Sequence, residues 1–149
     1  QCSIPGGVKI VQKHLGTNIY AVVGTGASGY WPKDKVILWD GMQREARGAI
    51  SADAEVYGVQ LTELYIIIAL ETAVLVCNWR YERQYQVPTA ANKQAILAVC
   101  NHQAVTVLGI PDPVIGKVLL LDVATGNKLC SLQAHQSALS AVALSNNRL

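Results

Sequence analysis

Four cysteines and three histidines are the first residues to weigh for chemistry. Cys2, Cys77, Cys100 and Cys130 include no pair at C-x-x-C spacing, and His14, His102 and His135 lie far apart, none at zinc-finger distance from a cysteine. No metal site is expected. The thiols read as buried and free, with a disulfide framework as the alternative. Gly24-Thr-Gly-Ala-Ser-Gly29 fits the G-x-G-x-x-G pattern. That pattern holds a dinucleotide only where it opens a helix whose N-terminus faces the pyrophosphate. Here Tyr30, Trp31 and Pro32 follow at once, then another strand-like stretch, so the glycines are expected to serve a loop with positive φ. No G-x-S-x-G, H-E-x-x-H or P-loop pattern occurs, and Asp53, Glu55, Glu63 and Glu71 suggest no acid–base pair. The chain is not expected to be an enzyme, and no cofactor is expected.

Composition narrows the partners. Twelve basic against ten acidic residues give a net charge of +2 over 149 residues. A nucleic-acid partner is not expected, because phosphate-backbone binders carry a basic stripe and a higher pI than the 8.4 found here. With 51% hydrophobic and 15% charged residues the chain folds, and its length suits one domain. Lys9, Lys13 and His14 interrupt the stretch a signal peptide would need to be apolar. The densest apolar run, Leu64 to Leu70, ends at Glu71, far short of the roughly 20 residues that span a bilayer.

The elements that would position these residues repeat. Lys35-Val-Ile-Leu-Trp-Asp40, Ala73-Val-Leu-Val-Cys-Asn78 and Lys117-Val-Leu-Leu-Leu-Asp122 are alike, each apolar, of strand length and closed by Asp or Asn before a polar turn. Each is followed by a further short strand: Arg44 to Ile50, Gln84 to Val87 and Lys128 to Leu132. Each is preceded by two more. Gly7 to Val11 and Ile19 to Val23 lead the first; Val56 to Gln60 and Tyr65 to Ala69 the second; Ala95 to Val99 and Ala104 to Leu108 the third. No stretch keeps a 3.6-residue apolar period, so almost no helix is expected. Four strands per unit of about 40 residues, with Trp-Asp closing the third strand, is the pattern of a WD-repeat β-propeller blade. A sandwich or barrel of about a dozen strands is the alternative that strand spacing alone allows. The recurring four-strand order favours the propeller.

The expected architecture is therefore all-β, a partial WD-repeat propeller over residues 1–149. Its blades run from Pro5 to Asp53, Ala54 to Ala91 and Asn92 to Ala134, and His135 to Leu149 begins a fourth. Three blades and a fraction leave a ring open, where propellers have typically 4–8 blades, so the chain reads as part of a longer protein.

Particular stretches resemble one family. Val22-Val-Gly-Thr-Gly26 followed by Trp31-Pro-Lys-Asp-Lys-Val-Ile-Leu-Trp-Asp40 looks like the second blade of the PROPPIN family, the phosphoinositide-binding WD-repeat propellers of autophagy. The lead-in Gly6-Gly-Val-Lys-Ile-Val11 is similar to the opening of that blade. Ala134-His-Gln-Ser-Ala-Leu139 with Ala141-Val-Ala-Leu144 resembles the start of the family's fifth blade. Val59-Gln-Leu, Ala69-Leu-Glu71 and Gly116-Lys-Val118 with Leu121-Asp122 also fit.

The resemblance implies a seven-bladed propeller that binds phosphatidylinositol 3-phosphate and 3,5-bisphosphate. It acts as a membrane-recruited scaffold, cytoplasmic and peripherally attached to phagophore, endosomal or vacuolar membranes. Two rim pockets take the headgroups, each with one arginine of a Phe-Arg-Arg-Gly motif. No such motif occurs here, for Arg44, Arg47, Arg80, Arg83 and Arg148 are all isolated. His135 matches a family histidine that lies against the phosphate; the other reading is a structural histidine at the entry to a blade. Pro32 and Lys33 match the Pro-basic pair through which the family contacts its autophagy lipid-transfer partner; the other reading is a solvated hairpin loop. Trp39 is expected to pack in the core, with Asp40 organising the turn after it and Asp122 closing the corresponding strand. Trp31 and Trp79, at loop or strand ends, are candidates for exposed partner contacts. Two departures stand out. Glu63 inverts the charge where relatives that recruit the ubiquitin-like conjugation machinery carry basic residues. The family's Asn-Pro-basic-Gly turn is degraded to Ala91-Asn-Lys-Gln94. The competing function is a WD-repeat protein–protein scaffold without lipid binding.

Overall fold

The computed structural model describes residues 7–27, 29, 31–102 and 105–133. These form twelve strands and, among the described residues, no helix. The first sheet holds β1 (Val8–Lys13), β2 (Ile19–Gly24), β3 (Lys35–Asp40) and β4 (Glu45–Ser51). The second holds β5 (Gly58–Leu61), β6 (Tyr65–Ala69), β7 (Ala73–Asn78) and β8 (Arg83–Pro88). The third holds β9 (Ala98–His102), β10 (Val105–Pro111), β11 (Lys117–Asp122) and β12 (Lys128–Gln133). Each sheet is an antiparallel meander in chain order. The all-β, four-strand-per-unit architecture expected from the repeats is what the chain adopts.

Two aliphatic seams join the sheets. In the first, Ala21, Val23, Val36 and Leu38 of the first sheet pack against Ile66, Ile68, Leu75 and Cys77 of the second. In the second, Ile67, Val74 and Val76 face Leu108, Ile110, Leu119 and Leu121 of the third. The middle sheet is covered on both faces, so β6 and β7 are apolar at almost every position, whereas β3, with one face in the first seam, alternates. A register shift recurs where the third strand meets the fourth, at Leu38/Trp39, Val76/Cys77 and Leu120/Leu121. Such bulges bend and twist the outer strand at the same point of every unit.

Meander topology sends alternate connections to opposite ends. One end carries the β2–β3, β6–β7 and β10–β11 loops together with the linkers between sheets; we call it the linker end. The linkers are tied down there: Val56 N–H donates to Lys33 O (2.9 Å), Asn92 N–H to Glu71 O (2.6 Å) and Ala90 N–H to Asp112 O (3.3 Å).

Candidate functional site

The repeated Asp or Asn at the end of each third strand builds the turn that follows it. Asp40 Oδ1 accepts from the Met42 and Gln43 amides at 2.9 and 3.0 Å, and Oδ2 accepts from Arg47 Nε and Nη2 at 3.1 and 2.8 Å. The Gln43 amide first, then the Arg47 guanidinium, hold the Asp40 carboxyl below the usual carboxylate range. Asn78 Oδ1 accepts from the Arg80 and Glu82 amides, and Asp122 Oδ1 from the Ala124 amide. Each turn then needs a left-handed residue: Arg44 (φ 57°), Tyr81 (φ 66°) and Gly126 (φ 74°). Only the last is a glycine, so the first two turns carry strain that the side-chain caps offset.

The two tryptophans of the first sheet exchange their expected places. Trp31 is buried, with 6% exposure, and meets Trp39 edge to face at 6.1 Å. Trp39 is only half-buried, and its Nε1 is enclosed without a hydrogen-bond partner among the described residues. The reason is the side of the sheet on which it stands. Leu38 faces the first seam, so its neighbour Trp39 points the other way, to the face that no described sheet covers. Trp79 is also not free: its Nε1 donates to Thr62 O (3.0 Å), and its ring stacks on His14 at 4.7 Å.

Pro32 and Lys33 stand on the β2–β3 loop at the linker end, Pro32 half-buried and Lys33 exposed. The loop closes through Gly24 N–H to Pro32 O (3.1 Å) and Gly26 N–H to Trp31 O (3.2 Å). A Cβ on Gly24 would lie 1.8 Å from the Trp31 carbonyl oxygen, which explains the first glycine of the sequence motif. Gly24 ends β2, Gly26 takes φ 80° in the loop, and β3 rather than a helix follows.

Beside this loop, at the top of the first seam, lies a cavity of about 470 Å³ lined by Asp53, Glu55, Tyr57, Glu71, Arg83 and Gln86 among others. Its charges are paired. Arg83 Nη2 donates to Asp53 Oδ2 (2.6 Å) and to the Ser51 carbonyl, bridging the second sheet to the first. The Ser51 hydroxyl and Arg83 hold Asp53 below its ordinary range. The Tyr57 hydroxyl, then Lys9, do the same for Glu55, with Lys9 Nζ at 3.3 Å. Lys93 pairs with Glu71 at 3.6 Å. The cavity is polar, and its ionisable side chains are committed to one another, the Tyr57 hydroxyl donating to Glu55 Oε2 at 3.0 Å.

The remaining sequence-predicted positions separate. Asp122 sits at the opposite end of the third sheet from the linkers. His135 lies outside the described residues, as does the stretch from His135 to Leu149. Cys77 is buried, its thiol pushed up to about 11 by desolvation, but Cys100 is half-buried and Cys130 exposed, so burial of the thiols fails for two of them. An Asn-capped turn forms within and just after the stretch Ala91-Asn-Lys-Gln94. Asn92 is buried, accepts from the Ile96 amide (2.8 Å) and donates to its carbonyl (3.2 Å), while Ala95 takes φ 54° where a glycine would be at ease.

No family model matches the sequence. Among curated proteins, SVP1-like protein 2 of Pichia angusta is 25% identical over 153 residues, covering 99% of this chain and 42% of its own length. SVP1-like protein 2 of Neurospora crassa is 31% identical over 144 residues, covering 95% and 32%. Among solved structures, Kluyveromyces lactis Hsv2 superposes with a TM-score of 0.72 at 13% identity, over 93% of this chain and 41% of that one. KlAtg21, in complex with the coiled coil of AgAtg16, gives 0.67 at 13% identity, over 84% and 41%. The chain thus spans about a third to two fifths of the length of these relatives. In sequence pattern and in fold it resembles the PROPPIN family, as a part of such a β-propeller.

Proposed function

We propose that the chain contributes three blades to a phosphoinositide-binding WD-repeat effector, a membrane-recruited autophagy scaffold that binds and does not catalyse. Its ligands are phosphatidylinositol 3-phosphate and 3,5-bisphosphate. Its place is the cytoplasm, with recruitment to phagophore, endosomal or vacuolar membranes. The observation that carries this reading is the match of three consecutive sheets to the Hsv2 and Atg21 propellers over most of the chain. In it, His135 lies against a headgroup phosphate. Pro32 and Lys33, beside the paired-charge cavity at the linker end, meet the lipid-transfer partner.

The test is flotation of the longest natural form of the protein with vesicles containing phosphatidylinositol 3-phosphate, against vesicles of equal charge made with phosphatidylserine. Selective capture by the 3-phosphorylated lipid, weakened by His135→Ala, is expected. Equal capture by both vesicles, persisting at high salt, would sink the headgroup reading.

A second reading, a protein–protein scaffold without lipid binding, draws on Glu63. This carboxylate is exposed beside Leu64, itself 64% exposed, on the rim of a cavity of about 300 Å³ between the second and third sheets. KlAtg21 holds a coiled coil of AgAtg16 in its solved complex. A coiled-coil partner that binds this chain equally well with and without vesicles would favour the second reading.

A further inference from the structure

We propose that the β10–β11 loop is an apolar tip that enters a lipid surface. Pro113, Val114 and Ile115 are all exposed, Val114 by 54% and Ile115 by 59%. Their exposure is built. Asp112, 7% exposed, accepts from the Val114 amide on Oδ1 (2.9 Å) and from the Ser131 hydroxyl on Oδ2 (3.0 Å). Asp112 N–H donates to Lys117 O (2.9 Å), Lys117 N–H to Val114 O (3.2 Å), and Gly116 takes φ 86° to close the turn. A polar tip would satisfy the same backbone bonds, so the loop geometry does not call for two aliphatics in water.

The equivalent loops each bury a large apolar residue. In the first sheet the β2–β3 loop buries Trp31; in the second the short β6–β7 loop buries Leu70. Among the described residues, only the third sheet shows large aliphatics outward from this end.

The chemistry at the tip fits lipid better than protein. Its one carboxylate is spent on the Val114 amide and on Ser131 of β12, and the cation Lys117 stands half-buried at the base. The cleft next to the tip, between Ala90, Ile96, Pro111 and Ile115, holds only about 90 Å³, well below the roughly 300 Å³ at which ligand pockets begin. A rigid projecting pair of aliphatics with a cation below them places carbon under the headgroups and ammonium at the phosphates. The proposal rests on the membrane recruitment proposed above and adds a contact separate from any headgroup pocket.

The test uses the longest natural form of the protein. Its partition is measured onto phosphatidylcholine–phosphatidylserine vesicles, and onto the same vesicles carrying phosphatidylinositol 3-phosphate. Val114→Ser with Ile115→Ser should lower partition onto both about tenfold, with the preference between the two vesicles unchanged. Unchanged partition overturns the tip, leaving it a protein contact, while any 3-phosphate preference still supports the headgroup reading. A wild type without 3-phosphate preference, whose variant still loses partition, keeps the tip and sinks the headgroup reading. A wild type that binds neither vesicle overturns the tip outright. Ile115→Trp provides a check that does not depend on weakened binding. Its emission should shift to the blue and be quenched by brominated acyl chains; no quenching overturns insertion.

Discussion

The two seams solve one problem differently. The first is broad: apolar residues from β2, β3, β6 and β7 are joined there by Ile50 of β4 and by Ala52 and Val56 from the connecting segment. It is also clipped by charge at the linker end, where Arg83 reaches across to Asp53, and by the His14–Trp79 stack at the other end. The second seam is narrower and relies on a neutral clip, the Tyr85 hydroxyl donating to Val123 O at 2.5 Å. Both share one device: a tyrosine of the middle sheet lies on a glycine of its neighbour, Tyr81 on Gly48 and Tyr85 on Gly126. What the difference teaches is that burial alone aligns these sheets, while the polar clip sets the conditions under which each seam opens.

The comparison breaks most sharply at two adjacent residues. Ile67 and Ile68 are both fully buried but face opposite seams. Ile67→Ala and Ile68→Ala should each cost about 3–4 kcal/mol in urea unfolding. Hydrogen exchange should show the first loosening the third sheet and the second loosening the first; the same pattern for both would refute separate seams. Gly48→Ala comes next. Its Cβ would stand 2.3 Å from the Tyr81 ring, displacing it at a cost of about 2 kcal/mol, measurable by the same unfolding curves. Tyr85→Phe should cost about 1–1.5 kcal/mol, leaving a carbonyl in the second seam without its donor.

Titration sharpens the contrast by sign. Asp53 and Glu55 are held below their ordinary values, so their contribution is complete above about pH 4 and is lost as pH falls further. Acid should therefore raise exchange at the first seam before the second. Burial raises Tyr85 to about 12, so what it contributes is complete below about pH 10 and is lost as pH rises toward 12. The stability gap between wild type and Tyr85→Phe should narrow across that window; a constant gap would refute the assignment. The smallest effect expected is a gain: Ala95→Gly should stabilise by less than about 1 kcal/mol by relieving its positive φ.

Much of the fold was legible because the middle sheet is covered on both faces. That turns β6 and β7 into unbroken apolar runs, and a run followed by Asp or Asn repeats three times. The bulges and the left-handed Arg44, Tyr81 and Ala95 were not legible, since those residue types give no sign of positive φ. Nor was the burial order of Trp31 and Trp39. A tryptophan's type says that it will seek cover; which face a neighbouring sheet covers is decided by packing far along the chain. Of the candidate site, Asp40 was legible through turn chemistry. The ion pairs around the cavity were not, because Arg83 and Asp53 meet only once two sheets have docked.

The outermost strands β4, β8 and β12 are mostly exposed, β12 at every position. They close their sheets by backbone pairing and contribute little side-chain volume to either seam. Tolerance of substitution is therefore expected to be unequal across each unit. The second and third strands carry the seams, while in the fourth only positions such as Gly48, Arg83 and Tyr85 are tied to a neighbouring sheet. Away from those few positions, a lineage built from such units can rewrite its outer rim, and with it the choice of partner, at little risk to the fold that presents it.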